Sequence, residues 1–392
     1  MKKRYLGLAV LAALAMGAEA QNKGVIKIAS QSPLSGGQSK LGVAISNGIR
    51  LAIDDEGKLI TSLGFKLEYA PFDDQAKAEQ GVANANRMIN DADILGMVGH
   101  LNSGVAIPSS EVYARVNLAT VSPANTNPLV TDRKSTLAIM SRICGRDDVQ
   151  GPAGADFVVD TLKAKKIYVI NDKTAYGEGL AAAFAMRAKA KGATTTEIGV
   201  EATERDFATI LNRAAAEKPD VVYYAGIYDQ GGPLLKQMRA RGLNQPFVGG
   251  DGLDGSDLQA LAGAENMKNV FFTTTAVPLS SLPAAKGFAA RYNKKFSVAA
   301  EGYAAYGYDA ARVVIRAIAA AAKANKNAKP SRAAVAAEVR KVKFTGVTGP
   351  IAFNSRGDLP VAKYVIVQAT PNYDDNKVSK IVTVAAPTPE LK

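Results

Sequence analysis

Three short polar segments carry the side chains that could do chemistry. Gly99-His-Leu101-Asn102-Ser103-Gly104 places a hydroxyl and successive backbone N–H groups directly after an apolar run. Val121-Ser-Pro-Ala124-Asn125-Thr126-Asn-Pro128 repeats the arrangement after a second run. A hydroxyl beside amides at the start of a helix suits a carboxylate ligand. The same residue types also cap helices and close turns with no ligand at all. Gly250-Asp251-Gly252 sets one carboxylate between two glycines, where it could oppose an ammonium or simply make a turn. Tyr176, Tyr303 and Tyr308 are candidates for a pocket wall or for the core.

Other chemistries lack their residues. The chain has one histidine, His100, and one cysteine, Cys144. A Cys/His zinc site needs about four such ligands, so no metal site is assigned, and no intramolecular disulfide can form. A Ser-His-Asp triad built on Ser103 would need His100 as its base, and His100 sits between apolar neighbours in Val98-Gly-His-Leu101. It reads as a packed residue. There is no G-x-S-x-G elbow and no P-loop. Gly250-Asp-Gly252-Leu-Asp-Gly255 fits a dinucleotide fingerprint and Gly177-Glu-Gly179-Leu-Ala-Ala182 a variant of it. The first is followed by a strand with no acid at its end, and the second lies too far beyond its strand. No cofactor and no catalytic residue are assigned.

The elements that must position these segments alternate. Strands are expected at 25–30, 67–72, 94–99, 119–122, 166–171, 196–200, 221–225, 247–249 and 270–272, with three more at 351–353, 364–368 and 381–384. Helices are expected at 42–56, 76–89, after the 94–99 strand through Val112 and Tyr113, and at 179–191, 207–217 and 231–241. Long alanine-rich helices follow at 284–296, 303–324 and 332–342. Such alternation predicts an α/β fold of parallel sheets covered on both faces. Ten or so strands exceed one comfortable sheet, so two doubly wound lobes are expected. Ligands of such folds bind beyond the carboxyl ends of the strands, where the three polar segments lie.

The 392 residues are 47% hydrophobic and 21% charged, ordinary for a globular chain. Met1-Lys-Lys-Arg4, an apolar run from Leu6 to Met16 and Ala18-Glu-Ala20 read as a signal peptide over 1–20. That run is shorter than the ~20 residues of a membrane span. The mature chain is expected to be exported, and a disulfide-free exported chain needs a large core. The formal charge of +12 is spread along the chain, with no aromatic-interleaved basic stripe, so nucleic acid is not an expected partner.

From end to end the mature chain resembles the branched-chain amino-acid-binding proteins of ABC importers, of the type I periplasmic binding fold. The likeness rests on Pro33-Leu-Ser-Gly36, Asp73-Asp74, Gly99-His-Leu-x-Ser103, Ser122-Pro-Ala-x-Thr-Asn-Pro128 and Asp172-Lys-x-x-Tyr-Gly-Glu-Gly-Leu180. It continues in Asp206-Phe207, Tyr223-Tyr224, Gly349-Pro350 and Gly357-Asp-Leu359.

The resemblance implies two lobes joined by three crossovers, with lobe 1 at 21–145 plus 277–355 and lobe 2 at 146–276 plus 356–392. It implies that Ser103 binds a ligand carboxylate, and that Thr126 touches both carboxylate and ammonium. The Ala124 carbonyl would accept from the ammonium and Asp251 would balance its charge, with Tyr176 and Tyr303 as walls. Leu101, Asn102, Asn125 and Gly252 lie in the same segments. Leu41 and Ile227 stand where the familiar member has tyrosines, Ala76 and Asn102 where it has a disulfide, and Asp251 where it has the longer glutamate.

The implied function is capture of an aliphatic L-amino acid for a membrane ABC permease by a monomer. A sensory subunit for an amide or small acid, and an exported hydrolase using Ser103, are the alternatives. A sugar-responsive repressor of similar lobes would carry a DNA-binding segment where this chain has its signal peptide.

Overall fold

A computed structural model describes residues 23–392, apart from 280, 281, 283, 389 and 392; the signal-peptide reading lies outside the described residues. The first sheet is built from β1 (Val25–Ser32), β2 (Lys66–Asp73), β3 (Ile94–Gly99), β4 (Thr120–Ser122) and β5 (Met140–Arg142), all parallel, in the order β2-β1-β3-β4-β5. The second contains β6 (Lys166–Asn171), β7 (Thr194–Gly199), β8 (Val221–Ala225), β9 (Phe247–Gly249) and β10 (Val270–Thr274), parallel in the order β7-β6-β8-β9-β10. Two further strands, Val361–Gln368 and Lys377–Ala385, extend it antiparallel. A strand needs no crossover helix to return antiparallel, which is why the chain can end in a plain hairpin.

Burial explains the strand sequences. Every residue of Ile94–Gly99 and of Val221–Ala225 is buried, as expected of strands covered on both faces. On the first sheet, the Gly302–Ala324 helix packs against the Ser39–Glu56 helix. Two glycines allow the close approach. A Cβ on Gly48 would stand 2.0 Å from the Ala304 carbonyl, and one on Gly307 2.5 Å from that of Ile45.

The chain crosses between the sheets three times: after β5, after β10 and before Val361. Two fully buried arginines knit these crossovers. Arg142 donates to Asp358 at 2.5 Å and to the Asn125 and Asn127 carbonyls at 3.0 and 2.9 Å. Arg146 pairs with Asp132 at 2.6 Å, Asp148 at 2.7 Å and Asp358 at 2.8 Å.

The two-lobed α/β architecture follows the expectation, while among the elements that do not are two at the first crossover. The β5 strand, Met140-Ser-Arg142, shows no apolar alternation, because its arginine is turned inward onto Asp358. The Asp147–Asp156 helix carries Gly151 and Pro152 in its interior and has no amphipathic signature. Tertiary contact imposes it: a Cβ on Gly151 would meet the backbone of Phe184 at 2.7 Å.

Candidate ligand-binding site

The two sheets share one strand order, and each changes direction between its first and third strands. Loops leaving neighbouring strands part at such a switch point and open a crevice. In the first sheet these loops follow β1 and β3; in the second they follow β6 and β8. They face each other across a cavity of about 250 Å³. That is near the low end of ~300–1,000 Å³ typical for drug-sized ligands, so the occupant is small.

One side of the cavity is the start of the Ser103–Ala114 helix, with Leu101, Asn102, Ser103 and Gly104 on the lining and Ala124 from the loop after β4. First-turn amides have no partner inside a helix, and the helix start carries partial positive charge. Ser103 is buried, and its hydroxyl accepts only the Asn127 N–H, at 3.4 Å. This side suits an anionic group.

The opposite side carries Asp251, which is 4% exposed. Its oxygens accept from Tyr176 at 2.8 Å, Gln150 at 2.8 Å and Tyr303 at 2.6 Å. The Tyr176 hydroxyl in turn accepts the Gly252 N–H at 2.9 Å. All three side-chain donors are neutral. Burial pushes the Asp251 carboxyl up from its ordinary value, against the pull of these hydrogen bonds. A cation placed beside it would relieve that cost. Leu41, Leu101 and Ile227 supply apolar surface to the same cavity.

Ser103, Leu101, Asn102, Ala124, Asp251, Gly252, Tyr176, Tyr303, Leu41 and Ile227 thus converge on one cavity. The tyrosines do more than form walls, since their hydroxyls hold the Asp251 carboxylate. Two expected residues stand off the lining. Asn125 is fully buried and braces the loops, accepting from the His100 N–H at 2.9 Å and the Ser122 hydroxyl at 2.7 Å while donating to the Leu101 carbonyl at 2.9 Å. Thr126 is also buried behind the surface, its hydroxyl without a close partner. Tyr308 lies elsewhere, donating to Asp55 at 2.8 Å.

His100 is packed, as its neighbours suggest. Its Nε2 sits 3.3 Å from the Tyr113 hydroxyl, and burial pushes its pKa down to about 3. No His100–Ser103 hydrogen bond occurs among the described residues.

Several lining residues were not assigned from sequence: Gln38, Asp172, Thr174 and Asp229. Asp172 follows β6 and accepts from the Thr174 N–H at 2.9 Å and its hydroxyl at 2.6 Å, while burial pushes its carboxyl up to about 6. Its place at a strand's carboxyl end was the available signal. Contacts also span the cavity's rim: Lys40 pairs with Asp257 at 2.9 Å, and Asn127 donates to the Ala175 carbonyl at 2.6 Å.

Residues 25–376 match a family model described as periplasmic binding protein. A Leu/Ile/Val-binding protein homolog 1 of Brucella abortus is 32% identical over 366 residues, covering 93% of this chain and 95% of its own. A leucine-binding protein from Thermotoga maritima superposes with a TM-score of 0.82 at 28% identity, covering 91% and 99%. A solute-binding protein of an ABC transporter from R. palustris, solved with benzoate, shares the fold at a TM-score of 0.80 and 20% identity, covering 92% and 98%.

Proposed function

Because the chain belongs to the periplasmic binding protein family, whose members deliver small ligands to ABC permeases, we propose that its own ligand is an aliphatic, branched-chain L-amino acid. The observation carrying this reading is the opposition of two poles across one small cavity. The helix start at Ser103 and the buried carboxylate of Asp251 line the same cavity, which also presents the apolar side chains of Leu41, Leu101 and Ile227. A zwitterion would lay its carboxylate on the Ser103 and Gly104 amides and its ammonium toward Asp251. Its side chain would fill the space beside Leu41, Leu101 and Ile227. Relatives named as Leu/Ile/Val-binding protein homologues support the choice. Benzoate, bound by the R. palustris neighbour, has no group for Asp251.

The lobes, with boundaries near residues 146, 277 and 356, close over the ligand by hinge rotation at the crossovers. Their extracytoplasmic location and action as a monomer belong to the same proposal.

A thermal-shift panel on protein unfolded and refolded to strip carried-over ligand tests it. Ligand that binds only the folded state stabilises by RT ln(1 + [L]/Kd), about 2.7 kcal/mol at 100 times Kd. Leucine, isoleucine or valine should raise the melting temperature, and glutamate, lysine, glucose and benzoate should not. A panel in which only polar or aromatic ligands act overturns the reading.

A further inference from the structure

Behind the lining lies a second carboxylate that the resemblance does not assign. Asp147 begins the Asp147–Asp156 helix and is 0% exposed; neither carboxylate oxygen has a close hydrogen-bond partner, although the Thr126 hydroxyl lies near enough to favour its charged form. The hydroxyls of Thr126 and Tyr223 and the carbonyl oxygen of Gln150 are likewise buried without close partners. Asp147 adjoins the ligand-facing loop through its N–H, which donates to the Thr126 carbonyl at 2.9 Å. Gln150, one turn along the same helix, donates to Asp251.

The charges that act most on Asp147 come from three residues. Asp251, Arg142 and Asp148 act on it, and it acts in turn on Tyr176, Tyr223 and Cys144. Only one of these is a cation. Arg142 directs its donors to Asp358, the Asn125 and Asn127 carbonyls and the Thr131 hydroxyl, not to Asp147. Two buried carboxylates therefore face one another electrostatically, and neither owns a cation. Two carboxylates so placed oppose each other's ionisation, so the pair gives up its second proton at a higher pH than a lone carboxyl does.

We propose that the ligand's ammonium is received by two carboxylates, Asp147 together with Asp251, and that its arrival drives the proton they hold beforehand out to bulk solvent. This rests on the amino-acid reading above. The direction follows from the surroundings: burial, then the Asp251 charge, holds the Asp147 carboxyl well above its ordinary value. A neighbouring ammonium favours the ionised form and lowers it. Binding at neutral pH then releases a proton, and affinity increases with pH until the unliganded pair is itself ionised.

The test is titration calorimetry of refolded protein with leucine, repeated in buffers of different ionisation enthalpy. The observed heat should vary with the buffer, with a slope of about one proton released per leucine. 4-Methylpentanoate, the same skeleton without the amine, should release none. Asp147→Asn should weaken leucine at least about tenfold and abolish the buffer dependence. A buffer-independent leucine heat overturns the proposal on the parent protein alone, whether or not the variant folds. So does a folded Asp147→Asn protein that binds leucine within about threefold of the parent; either result leaves the amino-acid reading standing. Failure of every aliphatic amino acid to bind the parent overturns that reading, and the proposal with it.

Discussion

Replacing Asp251 with asparagine separates its charge from its shape. In the parent, three donors converge on its two oxygens: Tyr176 and Gln150 on one, Tyr303 on the other. Asparagine keeps two of these by turning its carbonyl to Tyr176 and Gln150, and its amide can donate to a rotated Tyr303 hydroxyl. The fold loses one charge-assisted hydrogen bond, worth about 1.5–3 kcal/mol. It also sheds the cost of burying an ionised group that is 4% exposed, so the net change in stability should stay within about 1 kcal/mol. Ligand binding has no such offset. Removing one partner of a buried charge pair costs about 2–5 kcal/mol, or roughly 30-fold to several-thousand-fold in Kd. Because Asp147 remains behind it, the lower half of that range is expected. Calorimetric titration of leucine into refolded Asp251→Asn protein, with melting curves as the control for folding, gives the number. A folded variant that binds within about threefold of the parent would make Asp251 a scaffold for Tyr176 and Tyr303 and refute the ammonium assignment.

Ser103→Ala removes a hydroxyl and leaves the helix amides, so leucine affinity should fall about tenfold while the ranking of aliphatic side chains in competition titrations is unchanged. Asp358→Asn leaves Arg142 and Arg146 buried without their shared counter-charge and should cost about 3–5 kcal/mol by denaturant titration. Burial alone would raise the Asp358 carboxyl, but the two arginines hold it below its ordinary value. Its contribution is therefore present above the ordinary carboxylate range and lost as pH falls through the lowered value, and an acid scan of the variant should lack that loss. Burial pushes Asp74 the other way, up to about 7, so the parent should lose stability as pH rises from the ordinary carboxylate range through 7. Melting temperatures of Asp74→Asn should show that loss removed, with the variant the more stable at pH 8.

What could be read from the sequence depended on periodicity. β3 and β8 are unbroken apolar runs, and the long alanine-rich helix has a wide buried face, so each declares itself without the fold. The glycine-flanked Asp251 and the strand-end Ser103 were visible for the same reason: each stands where a regular run stops. The crossover region obeyed no local rule. Arg142, Arg146 and Asp147 carry no local signal of burial, and Gly151-Pro152 sets two poor helix formers side by side. Arg142 and Arg146 are buried because Asp358, over two hundred residues away, pairs with both; Asp147 is buried without such a partner, and Gly151-Pro152 lies inside a helix packed on Phe184. The site residues that escaped notice share this origin. Gln150, which holds Asp251, sits on that unrecognised helix, while Gln38 and Asp229 acquire meaning only when the loops after β1 and β8 are opposed.

One small cavity is proposed to hold both charges of an amino acid's zwitterionic head, with its aliphatic side chain against the apolar wall beside them. Direct calorimetric titration of refolded parent protein with leucine, isoleucine and valine, alongside 4-methylpentanoate and leucine amide, tests it most directly. The account predicts one-to-one binding of at least one of the three amino acids with a Kd of about 1 µM or tighter. It also predicts that either analogue, lacking the amine or the carboxylate charge, binds at least about a hundredfold more weakly. Equal affinity for the amino acid and for 4-methylpentanoate, or no binding of any of the three at millimolar concentration, would contradict it.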